Sequence, residues 1–251
     1  MPITSPNNES LKEIRKLAGR KWRDKLRAFV AEGEDLVAAA AAAGWEPELL
    51  LAEAGSGLAG EEVAPHLLKQ YSQLGSGTRQ IATYTQRWAS APTGPVCVAL
   101  WGVGDPGNVG TVLRSALAFG AGSVALGPGT ADPYGHKAVR ASMGAIFSVP
   151  VVRVSNVGDL PGHKVALAAH SGSPLSEVRG GDVTFVIGAE REGLPEGVIA
   201  SCNATAHIPI ESESLNAAMA ATIALYEARG SRGTRPGRTT SGGTRTRVAR
   251  A

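Results

Sequence analysis

The sequence predicts an α/β protein: a small α/β domain over residues 1–91, then a larger one over 95–229 built on a mainly parallel sheet. The first observation is alternation. Strand-like apolar runs at Val96–Trp101, Ser123–Leu126, Pro150–Val154, Lys164–Ala169, Val183–Gly188 and Ala206–Ile210 are interleaved with helical stretches at Val109–Phe119, Gly135–Met143, Glu196–Ser201 and Leu215–Arg229. Such a pattern argues a parallel sheet covered on both faces. The second is the stretch Trp101–Leu126, which crosses a Gly/Pro/Asn turn, enters a helix and leaves through Gly120 and Gly122 into a strand. That is a βαβ unit with its glycine loop at a strand's carboxyl edge, where open α/β sheets bind ligands. The third is the Ala89–Pro95 linker between the two parts.

Within the first part, Ser10 and Glu13 make a capping box before a helix whose stripe is Leu11, Ile14, Leu17 and Ala18. Phe29-Val30 precede Glu32-Gly33, and a second helix runs through Leu36 and the alanines to Gly44, a carboxyl-terminal stop. Leu49–Ala52 reads as a strand, Pro65 opens a helix through Leu67 and Leu68, Gly75-Ser76-Gly77 breaks the chain, and Ile81–Tyr84 reads as a strand.

A net charge of +3 conceals segregation. Lys12, Arg15, Lys16, Arg20, Lys21, Arg23, Lys25 and Arg27 face only Glu13 and Asp24 across residues 12–27, and seven arginines follow from residue 229 on with no acid. The middle of the chain is acidic. Such a distribution suits a polyanion gripped by peripheral elements, and equally a solvated helix face with a tail. Residues 230–251 have almost nothing to bury and are expected to be a disordered basic tail. Cys97 and Cys202 lie in or beside apolar runs, as in a reduced protein. The amino terminus carries no signal-peptide pattern and no apolar run reaches the length of a membrane span, so the expected location is the cytoplasm. His66, His136, His163, His170 and His207 make no metal-ligand spacing, and no metal is expected. His136 and Arg140, one turn apart, read as a solvated face or one turned to RNA.

Gly102-Val103-Gly104-Asp105-Pro106-Gly107 formally satisfies G-x-G-x-x-G after a strand. A dinucleotide site is disfavoured on two grounds: Pro106-Gly107-Asn108 delays the helix to about Val109, and the next strand ends Ala125-Leu126-Gly127 without the acid that would hold a ribose. Val109, Val112, Leu113 and Ala116 form the packing face of the following helix. Arg114 falls roughly 200° from Val112 and points away from it.

Three motifs then fall in order. Asn108-x-Gly110-x-x-x-Arg114-x-x-x-Ala118-Phe119-Gly120, Gly188-x-Glu190-x-x-Gly193 and Ile208-Pro209…Ser214-Leu215-Asn216 resemble those of the SpoU (TrmH-like) RNA ribose methyltransferases. The amino-terminal domain, with its basic helix and Phe29–Gly33, resembles the ribosomal-protein-like RNA-binding domain often attached to this family. The resemblance implies a knotted (trefoil) SPOUT fold, an S-adenosylmethionine pocket around Gly188, Ile208 and Leu215, and methyl transfer to a 2′-hydroxyl of rRNA or, second, tRNA. It implies Arg114, Asn108, Glu190, Ser214 and Asn216 as catalytic residues, with Arg114 acting across a homodimer as proton acceptor or as a phosphate and charge clamp. Ser214 can also cap the helix at Leu215, and Asn216 can hold the pocket loop or satisfy local backbone. Arg20, Lys21, Arg23, Lys25 and Arg27 are the expected RNA contacts. The loop Ile210–Glu213 is shorter and more acidic than the family's usual one. A catalytically silent RNA-binding or ribosome-associated protein of the same fold is the alternative, and a dinucleotide-dependent oxidoreductase the disfavoured one.

Overall fold

The computed structural model describes residues 1–74, 77–178 and 181–231. The basic tail beyond Ser231 and part of the Gly75–Gly77 break lie outside them. The chain opens with α1 (Glu9–Leu17), α2 (Arg20–Leu26), β1 (Ala28–Glu32), α3 (Glu34–Ala42), β2 (Leu49–Glu53), β3 (Glu61–Val63), α4 (Pro65–Tyr71) and β4 (Gln80–Thr85). The four strands form one sheet in the order β1-β4-β2-β3, with β4 antiparallel to both neighbours. Leu11, Ile14 and Leu17 are buried as their spacing predicts, but the cap is Asn8, whose side chain accepts from the Ser10 amide. Ser10 is already inside the helix.

The second part runs β5 (Val96–Leu100), α5 (Pro106–Phe119), β6 (Ser123–Leu126), α6 (His136–Ala141), β7 (Val151–Arg153), β8 (His163–Leu167), β9 (Ser173–Pro174), β10 (Val183–Ile187), α7 (Glu196–Ala200), β11 (Ala204–His207) and α8 (Ala217–Ser231). Its seven strands are all parallel, in the order β7-β6-β5-β10-β8-β11-β9. The late strand β10 enters the middle of the sheet, which is consistent with the expected knotted passage. Two expectations change. Helix α5 begins at Pro106, because Asp105 accepts from the Asn108 amide as N-cap and proline suits the first helical position. Gly107 therefore lies inside the helix after all, and the case against a dinucleotide rests on the missing acid. The final helix starts at Ala217 and not at Leu215.

Gly110 shows why the first motif needs a glycine. A Cβ there would meet the Ala138 carbonyl, the Ala141 side chain and the Ser142 amide, so α5 and α6 cross at backbone contact. Cys97 is buried, and burial pushes its thiol up, as it does for the half-buried Cys202.

The linker does not divide the core. One cluster joins Phe29, Leu36, Trp45, Ala82 and Tyr84 of the first part to Tyr134, Ile146 and Phe147 of the second. Phe29 and Tyr134 pack with ring centroids 4.8 Å apart, Trp45 and Phe147 at 5.2 Å, and the Trp45 indole donates to the Phe147 carbonyl at 2.7 Å.

Polar groups complete this junction. Arg23 is 6% exposed; its Nε and Nη2 reach Asp132 at 2.9 and 2.8 Å, and its Nη1 reaches the Leu17 and Ala18 carbonyls at 2.9 and 2.8 Å. Arg140 pairs with Asp35 at 2.8 Å. His136 sits with Nε2 3.9 Å from the buried Glu32 carboxylate, which accepts from the Ser72 hydroxyl at 2.7 Å and the Gln73 amide at 3.0 Å. His136 and Arg140 thus turn toward the four-stranded part, His136 to the buried Glu32 and Arg140 to Asp35 in a pair that keeps contact with solvent.

Removing one partner of a buried pair leaves an uncompensated charge, so Asp132→Ala is expected to cost about 3–5 kcal/mol in urea unfolding. A loss below about 1 kcal/mol, the size of an exposed pair, would contradict the clamp. Burial holds His136 below the ordinary imidazole range, Arg140, Arg23 and Lys137 push the same way, and Glu32 opposes. A base depressed in the folded state binds fewer protons there than when unfolded, so its contribution is present above the ordinary imidazole pKa of about 6.5 and shrinks as pH falls. The thermal midpoint should therefore drop on acidification below about pH 6.5, and His136→Gln should remove part of that drop. Identical pH slopes in the two proteins would refute this.

Candidate active site

In a parallel sheet the loops leaving the strands all open at one edge. Three of them, after the adjacent strands β10, β8 and β11, enclose a cleft of about 330 Å³. Leu167, Ile187, Ile208, Ile210 and Leu215 supply apolar walls, and Ala189–Gly193 and Glu213-Ser214 supply backbone and polar edges. This size and mix suit a small organic ligand with an apolar face.

The loop after β10 folds back on itself: the Ala189 and Gly193 backbones exchange two hydrogen bonds, of 3.2 and 3.0 Å. Gly193 takes φ +67°, and a Cβ on Gly188 would run into the Gly193 carbonyl and the Leu194 amide. The second motif's two glycines are thus required by the turn itself, which presents Glu190.

Asn108 is the point where three elements meet. Its Nδ2 donates to Glu190 Oε1, and its Oδ1 accepts from Asn216 Nδ2 at 3.1 Å. Asn216 in turn caps α8, its Oδ1 accepting from the Ala218 and Met219 amides at 2.9 and 3.3 Å. The start of α5, the loop after β10 and the start of α8 are held by one chain of amides ending on a carboxylate. Three of the five expected catalytic residues are brought together here.

The other two are placed differently. Ser214 lines the cleft and is exposed, but it does not cap the helix; its carbonyl accepts from the Ser212 hydroxyl at 3.2 Å. Asn216 took that role because the helix begins two residues later than expected. Arg114 is exposed on α5, is not among the residues lining this cleft, and takes part in none of the described hydrogen bonds or ion pairs. Gly188, Ile208 and Leu215 all border the cleft.

Sequence reasoning missed Leu167–Ala169, whose signal was their place at the end of a strand, and His170, whose Nε2 lies 3.0 Å from the Glu213 carbonyl and tethers the short acidic loop. Among the basic residues, Arg20, Lys21, Lys25 and Arg27 are exposed. Arg23 is a correction: Asp132 and two carbonyls occupy its guanidinium, leaving nothing for RNA.

Comparison with known proteins bears on this cleft. The model of the SpoU rRNA Methylase family matches residues 95–226, and that of the MRM3-like substrate binding domain matches residues 8–85. The 23S rRNA (guanosine(2553)-2′-O)-methyltransferase RlmP of Bacillus subtilis is 29% identical over 91% of this chain and 99% of its own. The 23S rRNA (uridine(2479)-2′-O)-methyltransferase of Streptomyces viridochromogenes is 38% identical over 49% of this chain and 48% of its own. Among solved structures, the AdoMet-bound rRNA methyltransferase from Sinorhizobium meliloti superposes with TM-score 0.82 at 30% identity, covering 92% of this chain and 97% of that one. With the second and third motifs lining one cleft, the first tied to it through Asn108, and a family model spanning more than half of its length, the chain belongs to the SpoU rRNA methylase family.

Proposed function

We propose that this protein transfers a methyl group from S-adenosylmethionine to a ribose 2′-hydroxyl of ribosomal RNA. The observation that carries the reading is the cleft at Gly188, Ile208 and Leu215, tied through Glu190 and Asn108 to the helix that displays Arg114. The residues present fit the cofactor. Ile208 and Leu215 offer apolar surface to a purine face, the loops at 188–193 and at Glu213-Ser214 offer polar groups to its edge, and Gly188 lets the turn that shapes the cleft close, since a Cβ there would meet the Gly193 carbonyl.

When bound, the cofactor supplies a methyl group on a positively charged sulfur. The protein's task is to hold the 2′-oxygen in line with it. Asn108, Glu190 and Asn216 fix the relative positions of α5 and the cleft. The role assigned to Arg114 is electrostatic: its fork of donors clamps the phosphate beside the target ribose and offsets charge developing on the attacking oxygen.

Arg114 is not among the residues lining its own chain's cleft, and we assign it to the cleft of a second copy in a homodimer. The exposed side chains of Leu117 on α5 and of Met219 and Tyr226 on α8 support this, since they leave apolar surface on the two helices nearest the site. No helix among the described residues is long and apolar enough to cross a membrane, and the proposed location is the cytoplasm.

Labelled S-adenosylmethionine and rRNA should yield a nucleotide whose 3′ linkage resists alkali; label on a base would refute ribose as the target. Gly188→Ala is expected to abolish cofactor binding by calorimetry while the overall helix content by circular dichroism stays unchanged. Retained affinity would remove Gly188 from the site. Arg114→Ala should abolish transfer with cofactor affinity unchanged. Coexpressed with Gly188→Ala, it should regain about a quarter of wild-type activity, because random pairing leaves one intact composite site per mixed dimer. An inactive mixture would place Arg114 in its own chain's site.

A further inference from the structure

Helix α2 is turned inside out. Its buried side chain is the charged Arg23, drawn inward by Asp132, while Trp22 and Leu26 stand 37% and 44% exposed. Of the four tryptophans, Trp45 and Trp101 are buried and Trp88 is half-buried with Arg153 over its ring. Trp22 alone is displayed. Lys16 and Lys25 lie over its ring at 5.7 and 5.1 Å from the centroid, and Arg15, Arg20, Lys21 and Arg27, near it in the chain, are exposed. The acid in this helix, Asp24, is shared between Arg20 at 3.7 Å and Arg153 at 3.4 Å.

We propose that Trp22 is a stacking platform for an unpaired base of the substrate RNA, with Lys16, Lys21 and Lys25 taking the flanking phosphates. An indole offers every base a flat partner regardless of sequence, and ammonium groups beside it hold the backbone. A base settling on the ring displaces a lysine, whose flexible stem carries the charge to the adjacent phosphate. The placement suits the reaction. Asp132, which anchors α2, lies in the loop after β6, and that loop is bonded to the loop after β5 through Gly102–Pro128 at 3.0 Å and Ala131–Val103 at 2.9 Å. The loop after β5 runs into α5, so the platform is fixed to the same sheet edge as the cleft. A membrane surface fits less well, because α2 has seven residues and displays two apolar side chains.

The inference rests on the rRNA-methylating reading and is tested separately from it. Fluorescence anisotropy of the full chain with a labelled single-stranded RNA dodecamer should show Trp22→Ala weakening binding about tenfold and Trp22→Phe much less. The salt slope should stay unchanged in both, whereas Lys21→Ala and Lys25→Ala should each lower it by about 0.7. In the methylation assay Trp22→Ala should raise KM for RNA, leaving kcat and cofactor affinity as they were. Wild-type affinity in Trp22→Ala, or an equal loss on fully paired duplex, overturns the platform while methylation by the wild type keeps the broader reading intact. Loss of binding to phosphatidylglycerol vesicles with RNA binding unchanged would reassign the patch to membranes and overturn it as well. A wild-type chain with no RNA affinity and no transfer overturns both.

Discussion

A single buried charge pair governs how the molecule is assembled. Arg23 carries its guanidinium into a site where an amphipathic helix would put a leucine, and Asp132 meets it from the other sheet's loop. Two charges taken out of water bring little net stability unless every remaining donor is used. Here the third nitrogen is taken by the Leu17 and Ala18 carbonyls, the open end of α1. The pair therefore joins three things at once: the close of the first helix, the rotation of the second, and the dock against the seven-stranded sheet. The rotation in turn decides which side chains α2 shows to solvent.

The cleft depends on a different kind of economy. Its three loops come from neighbouring strands of one parallel sheet, so their proximity follows from topology. What topology leaves loose is their mutual angle, and Asn108 fixes that with one donor and one acceptor; a carboxylate could keep the acceptor, but in the donor's place it would set two acceptors against each other at Glu190. Residues of the linear motifs are here partly structural: Asn216 caps a helix, Gly110 admits α6, and Gly188 lets a turn close.

Much of this was legible in the chain. The six strand positions from Val96 onward were marked by apolar runs, and the site by three motifs whose spacing survives in the fold. The failures share a cause. Strands β3 and β9, of three and two residues, are too short to show any period. Pro106 reads locally as a delay, and only the Asp105 cap shows it to be a first helical position. Arg23 and Asp132 are 109 residues apart, so no local pattern could tell that arginine from its exposed neighbours. His136 and Arg140 likewise found partners on β1 and α3, beyond the reach of periodicity.

The aromatic cluster that crosses the linker has a consequence, under the proposed function, for how a large RNA is read. Phe29, Trp45, Tyr84, Tyr134 and Phe147 interlock as one packed group, so the two sheets share a core where many enzymes have a hinge. The span from the basic helices to the cleft is therefore a fixed length. A protein so built selects its nucleotide as a caliper does: the RNA must present a gripping point and a reachable ribose at one set separation. A folded RNA selected by that separation needs little recognition of the target base itself.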